Sequence, residues 1–146
     1  MKRMILMIGI QGSGKSTFSK CRLHEYDYIS LDVLHTRKKE RLMVDDCIRR
    51  GADFVIDNTN PTSQDRARYI SLAKQAGYQI IGYFMQSKLN DCIERNNRRE
   101  GKAKISSAAI AGTSNKLELP SYSEGFDELY FVMIDNDNFS VQEWRD

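Results

Sequence analysis

Residues 7–17 read MIGIQGSGKST, and this stretch decides the fold. Within it, Gly9, Gly14, Lys15 and Ser16 fit the spacing G-x4-G-K-[ST], with an apolar run before the loop and helical spacing after it. Glycines allow successive backbone N–H groups to turn inward around phosphate oxygens, and the N-terminus of the following helix adds a positive dipole. The flanking pattern therefore favours a phosphate-binding loop over an ordinary tight glycine turn. The residues expected to contact nucleotide phosphates are Gly12, Ser13, Gly14, Lys15, Ser16 and Thr17.

Two residues of this loop carry distinct expected roles. The ammonium group of Lys15 reaches the β and γ phosphate oxygens, and the hydroxyl of Ser16 is a ligand for Mg²⁺. The sequence also lacks an NKxD-type segment that would recognise guanine, which favours ATP over GTP. We therefore expect ATP and Mg²⁺ as the cofactors.

Outside the loop, apolar runs bounded by turn signals alternate with segments of helical spacing. The predicted strands cover 4–8, 28–31, 54–56, 79–85 and 129–134, and the predicted helices cover 15–23, 36–50, 63–75 and 88–99. This alternation predicts an α/β fold of the P-loop NTPase type, with three layers: a mostly parallel sheet of about five strands and helices on both faces. Residues 100–119 are the least regular, and we expect them to form a mobile, basic lid.

Length and composition limit the number of domains and the kinds of partner that we expect. With 146 residues, of which 40% are hydrophobic and 29% charged, the chain is typical of one globular domain spanning 1–146. A net charge of +2 means that any nucleic-acid binding must rest on local clusters of positive charge.

The three cysteines show no metal-binding or disulfide spacing, so we expect reduced thiols in a cytoplasmic protein. No apolar run reaches the roughly 20 residues of a membrane span, so a membrane partner is not expected. The oligomeric state is not indicated.

Asp32 follows the predicted strand 28–31 and is the first candidate for a general base. In an open parallel sheet, ligands bind beyond the carboxyl ends of the strands. A carboxylate there accepts the proton of an incoming hydroxyl while Lys15 and Mg²⁺ stabilise the transferring group. Aspartate is equally favoured as a helix N-cap. Position alone leaves both interpretations open.

Residues 54–61, FVIDNTNP, bring a second polar cluster to the end of a strand. Asp57 stands where a carboxylate holds Mg²⁺, so we predict Ser16 and Asp57 as the metal site. The amides of Asn58 and Asn60 are able to donate to substrate oxygens, and we predict them, with Asp57, as substrate contacts. The alternative is a capped turn between strand and helix. Because this cluster is expected on the same edge of the sheet as the phosphate loop, a functional role is favoured over a capped turn.

Residues 94–104, ERNNRREGKAK, concentrate positive charge at the end of a predicted helix. Arginine forms a planar fork that stabilises charge on phosphoryl oxygens, so this segment is a candidate to close over ATP. Cations near a helix C-terminus are also typical of a solvated face. Spacing does not select among the candidates, which are Arg95, Arg98, Arg99, Lys102 and Lys104.

Four segments together resemble the kinase domain of polynucleotide 5'-hydroxyl kinases, both phage enzymes and animal end-repair enzymes. They are GIQGSGKST, SLD, IDNTNPTSQDRARYISLAKQAGY and ERNNRREGKAKISSAAI. The resemblance implies ATP-dependent transfer of the γ-phosphoryl group to a hydroxyl, with a nucleic-acid 5' end as partner. It implies catalytic roles for Lys15, Asp32 and Arg99, in which Asp32 is the base and Arg99 the lid arginine. Arg95 and Arg98 are the neighbouring candidates for contact with the nucleotide.

Two positions depart from the family pattern. Leu31 stands where the family often has arginine before the aspartate, and His35 stands where phage enzymes place an arginine against the acceptor. Arg37 is a candidate to replace that arginine from a nearby turn, and we predict His35 as a substrate contact. These departures keep a small-molecule kinase, with a nucleoside, sugar or antibiotic alcohol as acceptor, as the alternative. A non-catalytic nucleotide-binding module ranks last, because it leaves Asp32 and the asparagines without a role.

Overall fold

The computed structural model of the chain describes residues 1–101, 104–136 and 138–146. Its strands, in chain order, are β1 (Arg3–Ile8), β2 (Asp27–Ile29), β3 (Phe54–Ile56), β4 (Gln79–Met85), β5 (Glu128–Asp135) and β6 (Asn138–Glu143). They form one sheet in the order β2-β3-β1-β4-β5-β6. The first five strands are parallel, and β6 pairs antiparallel with β5. The predicted α/β fold of the P-loop NTPase type is confirmed.

The helices are α1 (Lys15–Arg22), α2 (Leu31–Leu34), α3 (Arg37–Arg50), α4 (Ser63–Gln75), α5 (Leu89–Asn97) and α6 (Ser107–Lys116), with a 3-10 turn at Tyr122–Glu124. Local sequence explains where the long helices begin. Thr36 caps α3 by accepting from the Lys39 N–H, and Thr62 caps α4 by accepting from the Asp65 N–H. None of the helices in the described part of the chain is long and apolar enough to cross a bilayer.

Side chains of β1 alternate between the two faces of the sheet. Leu6 belongs to a cluster with residues of α3 and α4, whereas Met7 belongs to a second cluster with Phe18 of α1. Both faces are therefore covered by helices, which gives the three predicted layers and explains why the central strands are apolar throughout.

Three elements differ from the sequence prediction. Strand β2 ends at Ile29, and Leu31, expected in the strand, begins α2 because Ser30 caps that helix. Helix α6 lies inside 100–119, the segment expected to be irregular. Its Ile110 packs with Ile10 and Cys92 in a third small core. Strand β6 was not predicted, although its sequence NFSVQE alternates polar and apolar residues. Lys102, one of the predicted lid cations, lies outside the described residues.

Candidate active site

The phosphate loop joins β1 to α1 at the carboxyl edge of the sheet. Gly12 has φ +81, and a Cβ atom there would lie 2.3 Å from the carbonyl oxygen of Cys92. Gly14 has φ +95 and caps α1 in the left-handed conformation. Both positions therefore favour glycine for backbone conformation, and Gly12 also requires it for the close approach of α5.

Lys15 is buried, with 9% of its surface exposed, and its Nζ donates to the carbonyl oxygen of Ile10 at 3.1 Å. Burial lowers the pKa of the Lys15 ammonium, and the charge of Arg99 adds to that lowering, whereas the carboxylates of Asp57 and Asp32 oppose it. The lysine is thus placed within the electrostatic influence of all three predicted charged groups. A bound phosphate would supply the negative charge that favours the ammonium form.

Asp57 is buried at the end of β3 and accepts hydrogen bonds from two hydroxyl groups. Ser16 Oγ donates to Asp57 Oδ2 at 3.0 Å, and the hydroxyl of Tyr28 donates to the same oxygen. Burial, with the hydrogen bond to Asp57, raises the pKa of Tyr28 to about 12, so the hydroxyl remains a donor at neutral pH. The sequence motifs did not single out Tyr28 as a site residue. Its place on the strand that leads to Asp32 was the available signal.

Asp32 lies in the first turn of α2 and not in a loop after β2. The N-cap is Ser30, whose Oγ accepts from the Asp32 N–H at 3.2 Å, so the N-cap interpretation of Asp32 is wrong. The helix is also fixed from outside, because the Leu31 N–H donates to Asn58 Oδ1 at 2.9 Å. The loop after β3 therefore holds the start of the helix that carries Asp32.

A polar network, which the sequence did not reveal, lies behind Asn58. Asn58 Nδ2 donates to Glu40 Oε2 at 2.7 Å, and Tyr69 donates its hydroxyl to Glu40 Oε1 at 2.7 Å. Arg37 NH1 donates to Glu40 Oε1 at 3.1 Å and to the Tyr69 hydroxyl at 2.9 Å. Burial raises the pKa of Tyr69 to about 12. We call these residues (Arg37, Glu40, Asn58 and Tyr69) the Glu40 network.

Asn60 joins the turn after β3 to the central strand. It has φ +46, and its buried Nδ2 donates to the carbonyl oxygen of Met7 at 2.7 Å. The next turn is held by Arg66, which is fully buried and forms a two-pronged ion pair with Glu124 at 2.8 and 3.1 Å. Arg66 NH1 also donates to the carbonyl oxygens of Asn60, at 3.0 Å, and Glu118, at 3.2 Å. Asn60 therefore has a structural partner, and its contact with substrate stays a prediction.

The three predicted lid arginines occupy different environments. Arg95 NH1 donates to the carbonyl oxygen of Gly12 at 3.0 Å, so this side chain supports the phosphate loop. Arg98 pairs with Glu94 at 2.9 Å, and its side chain is 71% exposed. Arg99 lines the cavity described next. The structure therefore distinguishes candidates that the sequence left equivalent.

A cavity of about 980 Å³ lies along this edge of the sheet. Among the described residues, it brings together most of those predicted for the site. They are Gly12, Gly14, Lys15, Ser16, Thr17, Asp32, His35, Asp57, Asn58, Asn60 and Arg99. Ser13, Arg95, Arg98 and Lys104 are the described site candidates that lie outside its lining. The cavity also includes polar residues that were not predicted: Lys20, Asp65, Arg68 and Tyr69, together with Arg37, predicted only as a substitute for the missing arginine.

Comparison with known proteins shows that the chain matches a family model. Residues 39–120, more than half of the chain, match the family model described as an AAA domain. The chain belongs to that AAA-domain family. The matched segment of this AAA domain begins in α3 and ends after α6, so it contains Asp57 and Arg99.

Relatives of this AAA domain carry polynucleotide kinase names. The "Putative bifunctional polynucleotide phosphatase/kinase" of Acanthamoeba polyphaga mimivirus is 32% identical over 154 aligned positions, covering 99% of this chain and 37% of that protein. The bifunctional polynucleotide phosphatase/kinase of Schizosaccharomyces pombe is 24% identical, covering 86% of this chain and 32% of that protein. The resemblance predicted from the sequence is confirmed. The chain spans about a third of the length of these curated relatives.

Solved structures share the fold. A gluconokinase from Sinorhizobium meliloti 1021 matches with a TM-score of 0.62 and 19% identity, over 90% of this chain and 82% of that one. Chaetomium thermophilum Kti12, in complex with ADP-AlF3, matches with a TM-score of 0.69 and 20% identity, over 92% of this chain and 90% of that one. This AAA domain therefore shares the α/β P-loop fold of these structures.

Proposed function

We propose that this protein is a P-loop kinase that transfers the γ-phosphoryl group of ATP to the 5'-hydroxyl of a polynucleotide, with residues 1–146 acting as one kinase domain. The observation that carries the proposal is the single cavity that joins the phosphate loop to Asp32 and Asp57. The name of the mimivirus relative, whose match covers 99% of this chain and 37% of that protein, supports the acceptor class. We call the part of the cavity lined by Gly12 and by residues 14–17 the nucleotide side. The part lined by Asp32, His35, Arg37, Asn58 and Tyr69 is the acceptor side.

The proposed reaction divides the charged residues between these two sides. Asp32 accepts the proton of the 5'-hydroxyl as its oxygen attacks the γ phosphorus. The bond between the γ phosphorus and the bridging oxygen breaks, and ADP leaves. Lys15 and Arg99 stabilise the negative charge on the transferred group, because both are cations beside the phosphate loop.

The oxygen atoms of Ser16 and Asp57 fit a magnesium site. A hydroxyl and a carboxylate lie 3.0 Å apart at the end of the phosphate loop, and Mg²⁺ is typically held by one or two carboxylates together with substrate phosphates. When bound there, Mg²⁺ neutralises charge on the β and γ phosphates. Tyr28 orients the carboxylate by donating to it. On the part of the chain that the structure describes, no cluster of three or more His, Cys, Asp or Glu residues forms a separate metal site.

A small-molecule acceptor is the second candidate, and one observation favours it. Leu31 and His35 both line the cavity beside Asp32, in place of the arginines that the resemblance led us to expect. An apolar and an imidazole side chain suit a small alcohol as well as a nucleotide. The two candidates differ in salt dependence, since a nucleic acid releases counterions on binding and a neutral small molecule does not.

The test is transfer of label from γ-labelled ATP to a 5'-hydroxyl oligonucleotide with Mg²⁺, at two salt concentrations. We expect labelled oligonucleotide, at a lower rate in high salt because acceptor affinity falls. Lys15→Ala is the control, and it should lose at least a hundredfold in rate. A protein that binds ATP but labels no oligonucleotide contradicts the polynucleotide acceptor. Release of ADP on addition of small alcohols would then support the second candidate.

A further inference from the structure

Glu40 is a buried carboxylate to which the proposed chemistry gives no task. It lies in the first turn of α3, and its side chain is 5% exposed. It accepts hydrogen bonds from Asn58 Nδ2 at 2.7 Å, the Tyr69 hydroxyl at 2.7 Å and Arg37 NH1 at 3.1 Å. A carboxylate buried this deeply is costly unless its oxygens are satisfied, and these three donors satisfy it.

The chemistry of this carboxylate fixes the orientation of Asn58. An ionised carboxylate is an acceptor only, whereas an asparagine amide has one donating end and one accepting end. The donating nitrogen of Asn58 must therefore face Glu40. Its oxygen is then directed away from Glu40, towards α2, where it accepts from the Leu31 N–H at 2.9 Å.

That last hydrogen bond reaches the proposed base. The first N–H groups of a helix have no partner inside the helix, and Leu31 is the first residue of α2. Asp32 is the next residue, and it lines the cavity. Glu40 therefore holds, through Asn58, the backbone N–H of Leu31 at the start of α2, directly before Asp32.

The same carboxylate also holds a cation of the acceptor side. Arg37 lines the cavity, its side chain is 56% exposed, and its NH1 group is bound by Glu40 and Tyr69. One buried group thus orients both a base and a positive charge. Precise positioning of groups at the reacting centre contributes strongly to rate, and small displacements are costly.

We propose that Glu40 is a positioning residue for the acceptor side, acting on Asp32 through Asn58 and directly on Arg37. The inference rests on the proposed function for its kinetic readout, and on the hydrogen bond from Leu31 to Asn58 for a readout that needs no activity. Its sequence signal is weak, because an acidic residue in the first turn of a basic helix is also explained by the helix dipole.

The direct test is Glu40→Gln. Glutamine presents a donor as well as an acceptor, so it no longer forces one orientation of Asn58. We expect kcat/KM for the oligonucleotide to fall roughly tenfold to a hundredfold, with the Kd of MgATP unchanged. An equal loss of nucleotide binding, or wild-type kcat/KM, would overturn the proposal.

Two tyrosines offer a matched pair if Glu40→Gln folds poorly. Tyr69 and Tyr78 are both buried, and each donates its hydroxyl to buried acceptors. Tyr69 bonds Glu40, whereas Tyr78 bonds the carbonyl oxygen of Ala52 at 2.8 Å, near the amino ends of the strands. Tyr69→Phe should lower kcat/KM for the oligonucleotide severalfold, and Tyr78→Phe should leave it unchanged at a similar loss of Tm. Equal kinetics for the two variants would contradict the proposal.

Two further readouts separate positioning from general stability. In an Asp32→Asn background, Glu40→Gln should lose less rate than it does in the wild-type background, because the part of its effect that passes through Asp32 is already gone and only the part through Arg37 remains; an undiminished loss would contradict the path through Asp32. Amide hydrogen exchange at Leu31 should be faster in Glu40→Gln and unchanged in Tyr78→Phe. If the wild-type protein labels no oligonucleotide, the proposed function fails, and the Leu31 exchange alone then supports or overturns the role of Glu40.

Discussion

The two sides of the cavity are constructed differently. The nucleotide side comes from one short stretch of the chain, and its proposed ligands are largely backbone N–H groups of a loop shaped by Gly12 and Gly14. The acceptor side combines α2, the turn after β3, the start of α3 and the middle of α4, joined by side-chain hydrogen bonds. Backbone-built sites can be read from a local motif, whereas side-chain networks depend on which distant residues meet. This difference explains why nucleotide binding was easier to predict than acceptor choice.

The largest expected effect separates the two sides. Asp32→Asn removes the proposed base without changing the phosphate loop, so we expect kcat to fall roughly 10²–10⁴-fold. Binding of MgATP, measured by calorimetry, should stay at the wild-type level. A variant that keeps its turnover would disprove the assignment of the base and, with it, the division of the cavity into two sides.

The lid arginines give the next largest effect, on the nucleotide side. Arg99→Ala should lower kcat roughly 10²–10³-fold, because a cation beside the transferred group is lost. Arg98→Ala is the matched control: its salt bridge with Glu94 is exposed, so its removal should leave the rate and the stability close to wild type. Steady-state kinetics of the two variants would contradict this assignment if Arg98→Ala proved the more damaging.

The smallest expected effect concerns Asp57, which lies between the two sides of the cavity. Tyr28→Phe removes one of two hydroxyl donors to Asp57 while Ser16 remains. We expect a roughly tenfold higher Mg²⁺ concentration for half-maximal rate, because groups that orient a metal ligand affect metal affinity. Since the pKa of Tyr28 is raised to about 12, the difference between variant and wild type should be constant across neutral pH. A titration of rate against Mg²⁺ that is identical for both proteins would contradict the role of Tyr28.

Much of the fold follows from short-range signals. The phosphate loop, the five parallel strands and the Thr36 and Thr62 caps all rest on residues close together in the chain. Helix α6 was missed because a polar, alanine-containing segment acquires its helical order partly from Ile110, which packs against residues far away in sequence.

The unpredicted parts of the site have the same physical origin. Tyr28 and Asp57 are 29 residues apart, as are Glu40 and Tyr69. Each pair is meaningful only once the sheet and helices have formed. No spacing rule in a single sequence indicates that a glutamate in a basic helix will face an asparagine 18 positions later.

The buried guanidinium of Arg66 affects how this protein unfolds locally. It donates to the carbonyl oxygens of Asn60 and Glu118 and to the carboxylate of Glu124. It thereby joins the turn after β3 to the segment that follows α6. Breaking such a buried pair leaves an uncompensated charge, which costs about 3–5 kcal/mol. Local opening of the turn that follows Asp57 is therefore expensive compared with the fraying of an ordinary loop. The turn and the segment after α6 are therefore expected to open together, and a protease should cut the turn only when the contacts of Arg66 are broken.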